Sequence, residues 1–414
     1  MKIVWLMIFP LWVFSQSYGL KELIVSAHTS NPMSEASILK TKAKSKQIEA
    51  AQSAFWPTLD IGASYSRVNP NALISPGEVA RGYAAFKMEL YDGGRKNALK
   101  RSKIFEYEAS LFEQKAFFKS LTLDIISRYY TIQKLKAMLY ALNGQSQELQ
   151  AQLERIKKFT AAGLSTQEEI DKLQAVYEEN RYRVESTKLM LETQEENLGL
   201  ISGLPIKNLK TSFLNEPKRI TFEVFENSKI LQAGADVLEE NAKAIDAGYK
   251  PQLALQDTYS RSHYDDLKNA GFNAEDLLLE GQNEVMLTVN MRLFDRGKMK
   301  KEREALLYQK MALEEERSHR IREQEMNFKL SGSNLETIRV KLESALSALK
   351  AAKSTYKSVV KKYEVGLVDN IAYLDALNEQ TLAQARYKET QYDYEIAKSV
   401  YYYYAGKDPK EFVQ

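Results

Sequence analysis

The sequence predicts a mainly α-helical chain built twice over, in which long helical hairpins carry two β-hairpins of transmembrane-barrel pattern. Three observations predict it. Landmarks recur at one offset: Gly163 and Gly366, Asp92 and Asp295, and Gly203 and Gly406 are each 203 residues apart (366 − 163 = 203). The composition is that of long packed helices, since 414 residues hold only 9 Pro and 18 Gly, and 27% are charged. Finally, four stretches of about ten residues switch from helical periodicity to strict alternation.

Taken in order, residues 1–19 have Lys2, an apolar run from Ile3 to Phe14, and small residues at Ser15, Ser17 and Gly19. This is the pattern of a secretory signal, removed between about Ser17 and Gly19. The run is too short to span a bilayer comfortably. The chain has no cysteine, so neither disulfides nor a lipid anchor on an N-terminal cysteine is available to it.

The first repeat, 20–203, begins with a helix over 20–54. Past Pro57, Leu59, Ile61, Ala63 and Tyr65 alternate with Thr58, Asp60, Gly62, Ser64 and Ser66. Ala84, Phe86, Met88 and Leu90 then alternate with polar or small neighbours, closing a hairpin at about 57–91 around a loop at 69–79. The second repeat, 229–406, has its hairpin at about 251–294, with Leu253, Leu255 and Tyr259, then Val285, Leu287, Val289, Met291 and Leu293. Its loop lies around 262–283. Asp257 interrupts the apolar face. Pro57 and Pro251 are only 194 apart (251 − 57), so the second copy carries nine extra residues (203 − 194), between 251 and 295.

Ten alternating residues suit a membrane-spanning strand. Four strands cannot close a barrel, and lipid does not tolerate open edges, so closure requires several chains. The alternative is a pair of soluble hairpins covering a helical bundle. Tyr65, Tyr91 and Tyr259, near strand ends, suit a membrane interface.

Each hairpin leaves through an Asp-x-Gly-basic junction, "DGGR" (92–95) and "DRGK" (295–298). Asp92 and Asp295 are placed to cap the next helix, and Gly94 and Gly297 to allow the bend. No lysine-serine pair follows, so a phosphate loop is not indicated. Helices are then predicted over 96–162 and 298–365, about 100 Å each at 1.5 Å per residue. Gly163-Leu164 and Gly366-Leu367 break them, as helix C-caps with an apolar residue behind. Shorter helices return, the first over 165–202. The linker 204–228 breaks the helical pattern and is expected to form a mid-height belt with the C-terminal segment, including the tail 407–414. Tyr401–Tyr404 reads as packing for that belt.

No catalytic, cofactor or metal site is signalled. His28, His263 and His319 are scattered, and no nucleophile–base pairing can be read. A net charge of +3 with no basic block does not indicate nucleic-acid binding.

In "NP" (31–32), "FWPTLDIGASYSR", "LYDGGRK", "LFDRGK", "AAGLST" and "YEVGLVDNIAYLDA", in this order, the chain resembles the TolC-like outer-membrane efflux and secretion channels of Gram-negative bacteria. The resemblance implies a homotrimer with a twelve-stranded barrel in outer-membrane lipid and a helical tunnel in the periplasm. It implies docking of a periplasmic adaptor at Gly163, Leu164, Gly366 and Leu367, and through it an inner-membrane pump, in efflux or type I secretion. It also implies a periplasmic constriction at Asp375, with Ala372 and Val368 standing where the family keeps an acidic residue and an arginine. The lock is then weaker or built differently, with Asp369 as a second candidate, and the alternative for Asp375 is a solvated helix-face carboxylate. The chain is expected to be a channel and not an enzyme. The alternatives are a periplasmic coiled-coil adaptor, which would need one hairpin flanked by lipoyl-like strands, or a structural coiled-coil protein.

Overall fold

The computed structural model describes residues 17–72, 75–217, 220–266 and 278–414. The signal sequence lies almost wholly outside the described residues, as do parts of both hairpin loops. In chain order the elements are β1 (Ser17–Tyr18), α1 (Leu20–Ser30), α2 (Pro32–Ser53), β2 (Thr58–Arg67), β3 (Glu78–Tyr91), α3 (Arg95–Ala161) and α4 (Gln167–Ser202). They continue with β4 (Asn208–Leu209), α5 (Glu226–Asp246), β5 (Gln252–Asp265), β6 (Gly281–Asn290), α6 (Lys298–Glu364) and α7 (Asn370–Tyr404). The chain is therefore mostly helical and duplicated, with α3 and α6 both 67 residues long.

Where one helix was expected over 20–54 there are two. Asn31 precedes a proline and so leaves the helical region, with ψ 127°. Its Oδ1 accepts from the Met33 N–H at 2.7 Å, and its amide donates to the Ile201 carbonyl at 2.8 Å.

The chain falls into two compact units. The first comprises residues 1–38, 115–225 and 321–414. Its main core joins Leu20, Leu23, Ile24 and Ala27 of α1 to Ile125, Ile126, Tyr129 and Tyr130 of α3, with Leu198, Leu214 and Tyr402. Leu204, Ile206, Leu209 and Leu214 of the expected linker pack here. Tyr18 pairs in parallel with Leu209, Leu214 bridges Val413, and the Tyr402 ring stacks on Phe412 at 3.7 Å between centroids. A second core holds Leu149, Leu153, Ile156, Leu173, Tyr373 and Leu377.

The second unit comprises residues 39–114 and 226–320 and carries the sheet. Its order is β2-β3-β5-β6, antiparallel throughout, so the hairpins of the two repeats join through β3 and β5. The register puts Leu59, Phe86, Asp257 and Val285 in one row and Ile61, Ala84, Tyr259 and Asn283 in the next. Thr58, Lys87, Gln256 and Met286 form a row on the opposite face. β3 and β5 run to 14 residues, and a bulge between Glu89 and Tyr91 sets Tyr91, not Leu90, opposite Leu253. β6 ends at Asn290, so Met291 and Leu293, expected to continue the strand, lie beyond the ladder. Among the described residues no helix is long and apolar enough to cross a membrane.

Candidate functional site

Both long helices end in the same device. After α3, the Gly163 N–H donates to the Thr160 carbonyl at 3.0 Å and the Leu164 N–H to the Phe159 carbonyl at 2.8 Å. After α6, Gly366 donates to Tyr363 at 3.1 Å and Leu367 to Lys362 at 2.8 Å. These paired bonds satisfy the last carbonyls of the helix and need a left-handed residue, here a glycine at φ 74° both times. Leu164 and Leu367 are 76% and 73% exposed, and no atom lies within 4 Å of where a Cβ on either glycine would stand. Each turn thus presents a bare backbone beside an exposed leucine, which admits close approach by another chain. The helices restart on capping side chains: Thr166 accepts from the Glu169 N–H, and Asp369 Oδ1 from the Ala372 N–H at 2.9 Å.

Asp369 is therefore engaged as a helix cap. Asp375 is exposed on α7, away from the buried Tyr373, Ala376 and Leu377, and has no ion-pair partner among the described residues. Within one chain the two carboxylates are not brought together on a shared partner.

In the sheet-bearing unit, Asp92 is buried at the start of α3. Its carboxylate accepts from Gly94 N at 3.1 Å and Lys96 N at 2.6 Å. Asp295 does the same for Gly297 N at 2.9 Å and Met299 N at 3.0 Å, and also accepts from the Tyr249 hydroxyl at 2.9 Å. The Met299 N–H above all holds the Asp295 carboxyl below its usual range. The copies differ in the residue after the aspartate. Gly93 has φ 72° and sits where a Cβ would meet the Ala247 carbonyl oxygen at 2.6 Å, whereas the matching Arg296 takes φ 55°.

One polar cluster escapes sequence reasoning. Glu395 and Lys398 of α7 are 5% and 2% exposed and pair at 2.8 Å. Glu395 Oε2 accepts from Leu214 N at 2.8 Å and from the Tyr130 hydroxyl at 3.4 Å, and Lys398 Nζ donates to the Leu214 carbonyl at 2.8 Å. Both ends of one residue in the linker are thereby tied to α7. Burial pushes the Glu395 carboxyl up. The one signal in the sequence is an opposite-charge pair three residues apart among Ala, Ser and Tyr, which reads as a surface pair. Two of the histidines serve separate local contacts: His28 Nε2 lies 3.1 Å from Thr122 Oγ1, and His263 Nε2 3.4 Å from Asp265 Oδ2.

The fold and these features define a class: a duplicated helical-hairpin protein carrying four strands of an outer-membrane channel. The sequence model of the family described as "Outer membrane efflux protein" matches residues 23–204 and 227–401. The chain belongs to that family, a family of channels and not of enzymes, and its place is the outer membrane with extension into the periplasm. No curated protein matches the chain. Solved structures do. The outer membrane protein VceC of Vibrio cholerae is 14% identical with a TM-score of 0.78, over 94% of this chain and 96% of that one. The outer membrane channel CmeC of Campylobacter jejuni is 15% identical with a TM-score of 0.80, over 94% and 85%. The MtrE outer membrane channel of Neisseria gonorrhoeae, in its open state, is 15% identical with a TM-score of 0.74, over 94% and 89%. At these identities the likeness concerns the fold.

Proposed function

We propose that three copies of this chain close a twelve-stranded barrel in the outer membrane and form the exit duct of a tripartite efflux pump or type I secretion system. One observation carries the reading. The sheet has an exposed apolar face, with Ile61 at 83% and Val289 at 64% exposure, and its edge strands β2 and β6 each pair on one side only. In lipid an unpaired edge strands backbone N–H and C=O groups that no water can satisfy. Pairing β2 of one copy with β6 of the next removes every edge, and three copies of four strands give the even count of a barrel.

Facing inward, the other side offers Ser64, Lys87, Gln256 and Thr288, a polar lining with no converging catalytic pair. Such a duct conducts and does not catalyse. The Gly163-Leu164 and Gly366-Leu367 turns dock a periplasmic adaptor, and through it an inner-membrane pump. Their exposed leucines and empty glycine surfaces support this. Asp375 from each copy narrows the periplasmic mouth, a ring of carboxylates that favours cations. Asp369 spends its carboxylate on a helix cap and contributes less.

The test is fractionation of cells expressing the chain, with outer-membrane extracts run unheated and heated on denaturing gels. A band near three chain masses that collapses on heating is expected. A soluble monomer or dimer would refute the channel.

A further inference from the structure

The two hairpins of the sheet repeat one another residue for residue in their pairing. Thr58 lies opposite Lys87 as Gln252 lies opposite Asn290, and Arg67 opposite Glu78 as Arg261 opposite Gly281. The first strands are thus offset by 194 (252 − 58, 261 − 67) and the second by 203 (290 − 87, 281 − 78). The nine extra residues of the second copy (203 − 194) therefore fall between Arg261 and Gly281, in the loop, and leave the ladder untouched.

Within one chain the hairpins join through β3 and β5. In the barrel proposed above, on which this inference rests, β6 meets β2 of the next copy in the corresponding place. Carrying the β3–β5 register across by the two offsets gives the register of that seam. Lys87 opposite Gln256 becomes Asn290 opposite Gly62, and Met88 opposite Leu255 becomes Met291 opposite Ile61. Glu89 opposite Ala254 becomes Arg292 opposite Asp60. Beyond the bulge, Tyr91 opposite Leu253 becomes Phe294 opposite Leu59, with Leu293 as the bulged residue.

Independent observations agree. In a single copy β6 stops at Asn290, where its own partner strand begins at Gln252, yet the residues beyond stay exposed, Leu293 at 83% and Phe294 at 80%. β3 shows what such an end does: past Lys87 it pairs with β5 and not with β2. The faces match as well. Val289 and Met291 meet the apolar Ala63 and Ile61, and Thr288 meets Ser64, whereas a one-residue slip would set each apolar row on a polar one. Charge then excludes a two-residue slip, which would put Arg292 opposite Thr58 or Gly62 instead of Asp60. Arg292 is exposed and has no ion-pair partner among the described residues, and the Asp60 side chain is 54% exposed. We propose that residues 291–294 form a strand completed only by a second copy of this chain. They pair with residues 59–61 of that copy in this register, and Arg292 and Asp60 form an ion pair across each seam.

The chain has no cysteine, so introduced pairs can be read without background. The full chain is expressed in outer membranes, oxidised mildly and run on non-reducing gels. Opposed residues stand about 4.5–5.5 Å apart at Cα, within reach of a disulfide, and diagonal ones about 7–8 Å, beyond it. In one copy two strands separate β2 from β6, so any link joins two copies. Neighbouring pairs alternate between the closer and the wider spacing. At least one of Val289→Cys with Ala63→Cys and Thr288→Cys with Ser64→Cys should therefore give covalent oligomers. Val289→Cys with Ile61→Cys or with Tyr65→Cys should not. Arg292→Asp and Asp60→Arg should each lower the temperature at which the trimer dissociates on unheated-to-heated gels, and the doubly reversed chain should recover more than half of the loss. Asp60 also lies 3.4 Å from Lys87 of its own chain, so the recovery, not the single loss, reports the seam. Heat-modifiable trimers that link only through the off-register pairs, or through none, would overturn the register and leave the channel standing. No recovery in the reversed chain would overturn the ion pair. Absence of trimers altogether would remove the channel reading and this inference with it.

Discussion

Replacing Lys398 by methionine tests whether the buried pair on α7 holds the linker in place. Methionine keeps the apolar stem and removes the charge that lies 2.8 Å from Glu395 and 2.8 Å from the Leu214 carbonyl. It strands a carboxylate that is 5% exposed and leaves the Leu214 carbonyl without its donor. Breaking a buried pair from one side costs about 3–5 kcal/mol. For a unit of this size, that lowers Tm by about 6–20 °C. The sign of the pH dependence follows from Glu395. Burial already raises its folded-state pKa, and loss of Lys398 raises it further. A group with a raised folded pKa contributes stability below its unfolded pKa and loses it as pH rises through the folded one. The damage should therefore be largest at neutral pH and smaller near pH 4.5, where the stranded carboxyl holds its proton. Adding Glu395→Gln removes the charge but keeps an acceptor for the Leu214 N–H and the Tyr130 hydroxyl, so the double variant should recover more than half the loss. Thermal unfolding followed by far-ultraviolet circular dichroism, at neutral and acid pH, reads all of this. A Lys398→Met protein that melts as the parent does, or loses as much in acid as at neutral pH, would refute the reasoning.

Three further outcomes are expected. Ile61→Arg or Val289→Arg should cost about 2–4 kcal/mol at mid-bilayer and deplete the chain from outer-membrane fractions. Ser64→Arg and Thr288→Arg should leave it there, and equal tolerance of the two sets would mean that the apolar face does not meet lipid. Charged residues at Gly163, Leu164, Gly366 and Leu367 together should abolish export while heat-modifiable oligomers persist; normal export would remove the docking role. In planar-bilayer recordings, Asp375→Ala should reduce cation preference and divalent block, and Ala372→Asp should strengthen the block. An unchanged Asp375→Ala channel would make Asp375 an ordinary solvated carboxylate.

Much of the fold was legible because its signals are local. Capping and left-handed glycine are decided within a few residues. The helices predicted over 96–162 and 298–365 accordingly form as Arg95–Ala161 and Lys298–Glu364. Alternation likewise assigned Leu59, Ile61, Val285, Leu287 and Val289 to one face of the sheet, since a pleated strand leaves no other choice. The repeat offset showed that both halves share a plan, and it located the turns. At Asn31 the local signal, a residue before proline, was present but was absorbed into one continuous helix.

Tertiary structure alone decided the rest, because those features depend on what distant segments bring. Nothing in either hairpin specifies that β3 pairs with β5, or that the Glu89–Tyr91 bulge puts Tyr91 opposite Leu253. Glu395 and Lys398 look like any solvated helical pair until the linker covers them, and only then does their charge become structural. A sequence records which face a side chain takes along its own helix or strand, since that periodicity is fixed by backbone geometry. Which partner meets that face is set by the packing of segments remote in the chain.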